Sequence, residues 1–346
     1  MRRQFGGQVD RALIDRYAQS KQWDGSQFQN LEATSMAFSL RKIPGLVYRG
    51  IFERDGREPQ APLAVHPFDA DAFLSGVRGT TFSWFGHSVL LLRLQGKTIL
   101  SYPMSGPNTS PTAPFSVKRL STDTLHIIDR LPPIDVMLLT HDHYDHLDLA
   151  SIERLKSRVD RYFVALGTGR HLVRWGIEPG LIREFDWWDQ VNHEGIGFHF
   201  TPTRHFSGRG LRDRQKSLWG GWVLKTPREN IYFSGDSGYG AHFLEVGRKL
   251  GPFDMGFMEC GQYNENWHQI HMFPEEGVRA ALESGVKKAM PVHWGAFSLA
   301  LHGWKDPVDR FVREAEAQGL PLLHPALGVI TSINGQPDPP WWRLID

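Results

Sequence analysis

Between Leu138 and Asp148 the chain reads LLTHDHYDHLD, which sets His141, His143, Asp145 and His146 within six positions of one another. Imidazole nitrogens and carboxylate oxygens are the donors that suit a divalent cation such as zinc. The apolar run VMLL just ahead reads as a buried strand, so the four side chains fan out from one strand end and are not spread over the faces of a helix. Converging without a cation, they would leave polar atoms in need of other partners, which burial makes costly. A surface loop that happens to be rich in histidine is the plain alternative, and the density of donors argues against it.

Three further segments share this grammar of an apolar strand running into one potential ligand: HFTPTRHFSG gives His205, IYFSGDSG gives Asp236 and AMPVHWG gives His293. Together they make seven donors, enough for two ions when a carboxylate or a hydroxide bridges them.

The elements that must position these residues begin at Thr81. TFSWF, SVLLLRL and KTILSY, punctuated by Gly86 and Gln95-Gly96, predict a β meander. After the DVMLLT strand, LDLASIERLKSR has helical spacing with Asp148 as its N-cap. Strands at FHFTPT, WGGWVLK, NIYFSGD, DMGFM, KKAMPVH and GVITSI then alternate with helices at AHFLEVGRKL, PEEGVRAALESG and DPVDRFVREAEAQG. The pattern predicts two mixed sheets face to face with helices outside and the ligands along one edge. Residues 1–80 have weak periodicity and are expected to form an N-terminal extension packed on a main body at 81–346. Within them MAFSLRKIPGLVYRGIF carries Arg41, Lys42 and Arg49, as a membrane-surface segment would, but Pro44 breaks any long helix and packing against the core is the favoured use.

Lysine plus arginine (39) nearly cancels aspartate plus glutamate (38) over the 346 residues, which argues against a polyanion groove and against nucleic acid as partner. Cys260 stands alone, so an intramolecular disulfide and a thiolate metal cage are both excluded. MRRQFGGQVDRALIDRY has no apolar run after its arginines and nothing later reaches membrane-spanning length, so the expectation is a soluble, cytoplasmic chain with at most peripheral membrane contact.

Taken in order, THDHYDHLD, TRHFS, SGDSG and VHWG resemble the motifs of the metallo-β-lactamase superfamily, over about residues 81 to 335. More narrowly, WFGHSVLL, LPPIDVMLLTHDHYDHLD, DWWD, FSGDSGYG, GPFD, HMFPEEGV and HWGAF are similar to the branch that contains N-acyl-phosphatidylethanolamine-hydrolysing phospholipase D. The resemblance implies an α/β fold, the αβ/βα sandwich. It implies that His141, His143 and His205 hold one ion, that Asp145, His146 and His293 hold the other, and that Asp236 bridges them. The ions would be zinc, or iron or manganese, which the same donors accept. A hydroxide between them would attack phosphorus or an acyl carbon, with Asp145 also orienting it. The expected activity is hydrolysis of a phosphodiester, with phospholipid-like or other small molecules as substrate. A lactonase or other C–O or C–N hydrolase is the rival within enzymes, and a metal-poor binding module the rival outside them. One position departs from the pattern: most relatives carry Asp-Pro after the third strand, where the carboxylate braces the histidine loop, and this chain has Tyr102-Pro103. An uncharged hydroxyl in that place predicts weaker metal binding, by roughly 10–100-fold.

Other residues carry weaker signals. The resemblance sets His87 beside the metal site as a support, and a histidine satisfied within a turn explains it equally. His271, just ahead of a helix start at Pro274, is expected to face the site and to protonate a leaving group or hold an oxyanion; His268 is expected on the surface. Tyr263 and Trp267 would line the substrate pocket or simply pack. Arg204, Arg209, Arg212 and Arg214 flank His205 and suit phosphate, although a solvated basic loop accounts for most of them. Trp187, Trp188, Trp219, Trp222 and Trp294 are expected in the core, as is Cys260.

Overall fold

The meander forms as its turns require. Strands β1 (Thr81–Trp84), β2 (Leu90–Leu94) and β3 (Lys97–Ser101) run antiparallel, and the two residues joining β2 to β3, Gln95 and Gly96, have φ of 51° and 77°, the left-handed pair that suits a tight hairpin. Strand β4 (Ile134–Leu139) then joins β3 in parallel, followed by β5 (Val159–Ala165) and β6 (Ile182–Phe185), while β13 (Ile330–Ser332) closes the other edge. The result is a seven-stranded sheet in the order β13-β1-β2-β3-β4-β5-β6. A six-stranded sheet, β12-β11-β10-β9-β8-β7, faces it; its strands are β7 (Gln190–His193), β8 (Ile196–Thr201), β9 (Gly221–Lys225), β10 (Asn230–Phe233), β11 (Met255–Glu259) and β12 (Ala289–Val292). This computed structural model describes residues 2–35, 45, 48, 52, 56–75, 79–109, 117–122, 124–210 and 213–346.

Among the described residues the helices are α1 (Arg11–Tyr17), α2 (Ala70–Ser75), α3 (Thr124–Arg130), α4 (Leu149–Leu155), α5 (Gly169–Arg174), α6 (His242–Leu250), α7 (Pro274–Glu283) and α8 (Asp306–Gln318). Asp148 caps α4 as its sequence predicts, accepting from the Ser151 amide at 2.9 Å. At α7, Pro274 occupies the first turn and Glu276 reaches back to the Phe273 amide at 2.9 Å. No described helix is long and apolar enough to cross a membrane.

Apolar side chains of the two inner sheet faces form one core, in which Phe82 meets Phe257 edge-on at 5.1 Å and Trp222 meets Phe185 at 4.9 Å. A second cluster lies outside the seven-stranded sheet, beneath α3 and α4. The sandwich therefore has the layers that the alternation of apolar runs predicts. Strand β5 and the short pieces β6, β7 and α5 were not foreseen in RYFVALGTGR and the segments after it.

Residues of the first eighty make specific contacts with the body. Gly7 comes so close to Arg170 that a Cβ would sit 2.2 Å from its carbonyl oxygen, and the Gly7 amide donates to His171 Nδ1 at 3.2 Å. Asn30 closes a two-sided clamp on the His205 backbone, donating Nδ2–H to the carbonyl at 2.8 Å and accepting from the amide at 3.0 Å. The same Asn30 oxygen also accepts from Trp219 Nε1 at 3.0 Å. Arg41, Lys42, Pro44 and Arg49 lie outside the described residues; of their segment, Tyr48 and Phe52 are 59% and 69% exposed, so these two aromatics do not pack into the core. Replacing Asn30 by alanine removes three hydrogen bonds at a half-buried position. The expected cost is about 1–3 kcal/mol, read as a lowered denaturation midpoint; an unchanged midpoint would show that the clamp adds nothing to the fold.

Candidate metal centre

Strand ends of both sheets meet at one edge. His141, His143, Asp145 and His146 follow β4, His205 follows β8, Asp236 follows β10 and His293 follows β12. His141 and His143 turn toward His205 and Asp142 turns away from them, toward His171 and Ser217. Asp142, fully buried, accepts from the Gly208 amide at 2.7 Å and from Ser217 Oγ at 2.7 Å, and lies 3.1 Å from His171 Nε2. Behind the loop, buried Arg209 donates to the carbonyls of Asp142 at 2.8 Å, Leu147 at 2.7 Å and Gln4 at 2.9 Å. Arg209 is thus neither a phosphate ligand nor part of a solvated loop, the two roles its sequence position suggests; it is a buried bracket on the histidine loop.

All seven donors foreseen in the sequence come together. His143 Nδ1 lies 3.0 Å from His141 Nε2 and 3.2 Å from His205 Nε2. On the other side His146 Nε2 lies 3.2 Å from His293 Nε2 and 3.4 Å from Asp145 Oδ2. Asp236 Oδ2 stands between the groups, 2.8 Å from His146, 3.0 Å from His293, 3.8 Å from His141 and 3.9 Å from His205. Ligands at the corners of a tetrahedron with metal bonds of about 2.0–2.1 Å are about 3.3 Å apart, so these separations are those of coordination edges.

The hydrogen-bond inventory leads the same way. Asp236 Oδ2 is buried with ring nitrogens of His146 and His293 at 2.8 Å and 3.0 Å; His143 Nε2 and His146 Nδ1 are buried without a hydrogen-bond partner. Burial, reinforced by neighbouring imidazoles, holds His141 and His205 well below the usual histidine range, and burial brings His143 to about 4. Neutral imidazoles, each with a lone pair on one ring nitrogen, are in the form that binds a cation. At His146 burial acts downward, but Asp236 and Asp145 outweigh it and raise the group to about 9; His293 is raised well above its usual value by Asp236 against the same opposition. Conversely, both aspartates stay well below the carboxylate range in spite of burial, through His146 in each case. A divalent cation among these donors would displace the protons, and the donor set fits one.

Three residues at the centre take left-handed backbone without being glycine: His87 (φ 55°), Tyr102 (φ 51°) and His293 (φ 70°). Each such residue costs of order 1–3 kcal/mol. His87 and His293 are tied together, His87 N donating to the Trp294 carbonyl at 2.7 Å and His293 N to that of His87 at 2.9 Å. His87 is at once a turn residue and a neighbour of the site, its Nε2 3.1 Å from Asp145 Oδ2. Before Asp236, Gly235 (φ 65°) lets the segment leaving β10 pass against the one entering β9: a Cβ there would meet the Gly220 oxygen at 2.3 Å.

His271 lies at the centre, with a ring nitrogen within 4.8 Å of donors of His205 and Asp236, whereas His268 is exposed. Glu259, the last residue of β11, is the one the sequence reading missed. Its buried carboxylate bonds to His271 Nδ1 and accepts from the Ser237 amide at 2.6 Å, and burial raises it while His271 opposes. The signal was available, since DMGFME is another apolar strand running into a carboxylate. Tyr263, buried, stacks on His302 and helps to line a polar cavity of about 300 Å³ with Arg310; Trp267 is half-buried. Arg204 bonds to Thr34 and to the Ala33 carbonyl, Arg214 lies 4.3 Å over Phe206, and Arg212 is outside the described residues. Trp187, Trp219, Trp222, Trp294 and Cys260 are buried, with Trp188 half-buried.

A family model described as a beta-lactamase superfamily domain matches residues 108–294. An uncharacterized protein of Mycobacterium tuberculosis is 35% identical over 333 residues, which cover 94% of this chain and 88% of that one. N-acyl-phosphatidylethanolamine-hydrolyzing phospholipase D 1 of Caenorhabditis elegans is 30% identical over 257 residues, 71% of this chain and 72% of its own. Among solved structures, the metallo hydrolase Igni18 from the archaeon Ignicoccus hospitalis superposes with a TM-score of 0.56 at 19% identity, over 73% of this chain and 97% of that one, a likeness of fold. With its paired mixed sheets and edge cluster of histidine and aspartate, the chain belongs to the metallo-β-lactamase superfamily of metal-dependent hydrolases.

Proposed function

We propose that the protein is a dinuclear hydrolase of phosphodiesters with phospholipid-like substrates, in which His141, His143 and His205 hold one cation, Asp145, His146 and His293 the other, and Asp236 serves both. The observation that carries this reading is the position of Asp236 Oδ2, buried between two histidine groups, 2.8 Å and 3.0 Å from His146 and His293 and 3.8 Å and 3.9 Å from His141 and His205. The name of the Caenorhabditis relative supports the substrate class. Zinc suits the donors, and iron or manganese would be accepted too. Divalent cations there would lower the pKa of water toward neutrality and polarise the oxygen that gains charge.

The chain's own residues then have defined tasks. Asp145, held by His87, orients the attacking group. Glu259 fixes one nitrogen of His271, which leaves the other to donate a proton to the departing oxygen or to hold an oxyanion. Tyr48 and Phe52, exposed on the N-terminal segment, suit peripheral contact with a lipid surface.

One observation favours a second reading, hydrolysis of a lactone or another carbonyl substrate. Arg204 and Arg209, which flank His205, are engaged by carbonyl and hydroxyl oxygens of the protein and are not available to clamp a phosphate.

A screen of metal-loaded protein against a phosphodiester, a phosphomonoester, a lactone and a thioester separates the two. Turnover of the phosphodiester, abolished by Asp236→Ala, is expected; turnover of the lactone alone would overturn the substrate class. His271→Ala is expected to lower kcat by about 10²-fold or more while bound metal, measured by elemental analysis, stays unchanged. Retention of full kcat in that variant would remove His271 from the chemistry.

A further inference from the structure

Resting on the phosphodiester reading above, we propose that Arg214, stacked on Phe206 beside the metal centre, is a specificity-determining residue: its guanidinium receives the negative charge of the substrate and favours an anionic diester over an uncharged ester.

The centre opens to solvent on one side. His141, His146, His205, Asp236 and His293 are buried, whereas His143, Asp145, Phe206 and His271 are half-buried, so a substrate arriving from solvent meets these four first. Phe206 follows His205 in the chain, and its ring lies against two of the candidate ligands, with centroids 4.4 Å from His143 and 5.0 Å from His205. Arg214 Cζ stands 4.3 Å over that same ring. One aromatic ring thus separates the cluster from a permanent positive charge. Stacking engages only the face of a guanidinium, and its N–H groups, which lie in the plane, remain directed at whatever approaches.

The fate of those donors sets Arg214 apart from its neighbours. Arg209 uses its own on the carbonyls of Asp142, Leu147 and Gln4, and Arg204 on Thr34 and the carbonyls of Ala33 and Tyr239. Among the described residues Arg214 has neither a hydrogen bond nor an ion pair, only the Phe206 ring. The adjacent Asp213 does not serve it, because its Oδ1 accepts from the amides of Arg209 at 3.1 Å and Gly210 at 2.6 Å. The charges agree with this. Burial lowers the pKa of both arginines; at Arg209 the carboxylates of Asp142, Asp148 and Asp213 act in the opposite direction, and at Arg214 no described carboxylate does.

A guanidinium kept partly desolvated without an anion of its own suits a negatively charged oxygen brought by a ligand. A phosphodiester carries that charge and a lactone or simple carboxylic ester does not. The arginine-rich loop can therefore select an anion although Arg204 and Arg209 are engaged elsewhere.

The test measures, by calorimetry on metal-loaded full-length protein, the binding of diphenyl phosphate and of its uncharged methyl ester to wild type, Arg214→Ala and Arg214→Lys. Arg214→Ala is expected to weaken diphenyl phosphate by about 10-fold and to leave the methyl ester and the bound metal, read by elemental analysis, unchanged. Arg214→Lys, which keeps the charge and loses the planar fork, should fall between, and added salt should weaken the anion on wild type more than on Arg214→Ala. In turnover of bis-para-nitrophenyl phosphate the same loss is expected in KM, with kcat held. Equal affinities of wild type and Arg214→Ala for diphenyl phosphate, equal losses for both ligands, or a loss that tracks bound metal would overturn the role of Arg214 and spare the phosphodiester reading. Diester that binds through Arg214 and is never hydrolysed, while a lactone is, would overturn that reading and spare the role.

Discussion

The structure turns on the crowding of buried imidazoles and carboxylates at one sheet edge. His141 and His205 bring ring nitrogens to 3.0 Å and 3.2 Å from His143, Asp236 sets a carboxylate oxygen 2.8 Å from His146 and 3.0 Å from His293, and His143 Nε2 and His146 Nδ1 are buried without a hydrogen-bond partner. Protein interiors seldom tolerate such groups, because an unmade hydrogen bond costs about 1–3 kcal/mol even for an uncharged atom. The fold nevertheless holds them together from strand ends of two sheets, and adds left-handed backbone at His87, Tyr102 and His293. A local arrangement so unfavourable to the bare chain is what a cation would repay.

What resists dispersal of this cluster is the layer just outside it. Asp142 turns away from the centre into His171, Ser217 and the Gly208 amide, so the histidines on either side of it are held by an anchored backbone. Arg209 spans the histidine loop from behind and reaches Gln4. Asn30 does the same for His205. Two remote stretches of the first thirty residues thus act on two ligand loops, which makes the N-terminal segment part of the scaffold of the site. Preorganisation of this kind matters because reactive groups displaced by about 1 Å lose most of their advantage.

The clustered histidines and aspartates were legible in the sequence because each follows an apolar run, and strands on one edge of a sandwich deliver their next residues to one place. His141, His205, Asp236 and His293 all obey that rule. Glu259 obeys it too, at the end of DMGFME, and the sequence reading missed it. Asn30 and Arg209 could not be found in this way: Asn30 acts on a backbone 175 residues distant, and nothing in the composition of an arginine-rich loop says which member is buried. The meander and the later alternation of strands and helices were plain from turn residues and helix caps, whereas β5 was not separated from its surroundings and β6 and β7, four residues each, carry too few apolar positions to stand out.

His271 and Glu259 show how one centre could serve more than one chemistry. A carboxylate-held imidazole beside the cluster would suit proton donation whether the departing oxygen came from phosphorus or carbon, which would leave substrate choice to the surrounding walls. The central claim is narrower and can be met directly by diffraction from crystals of the zinc-loaded protein at the zinc absorption edge. Two anomalous peaks on either side of Asp236, one among His141, His143 and His205 and the other among Asp145, His146 and His293, are predicted. Peaks elsewhere, or density at neither position, would contradict it.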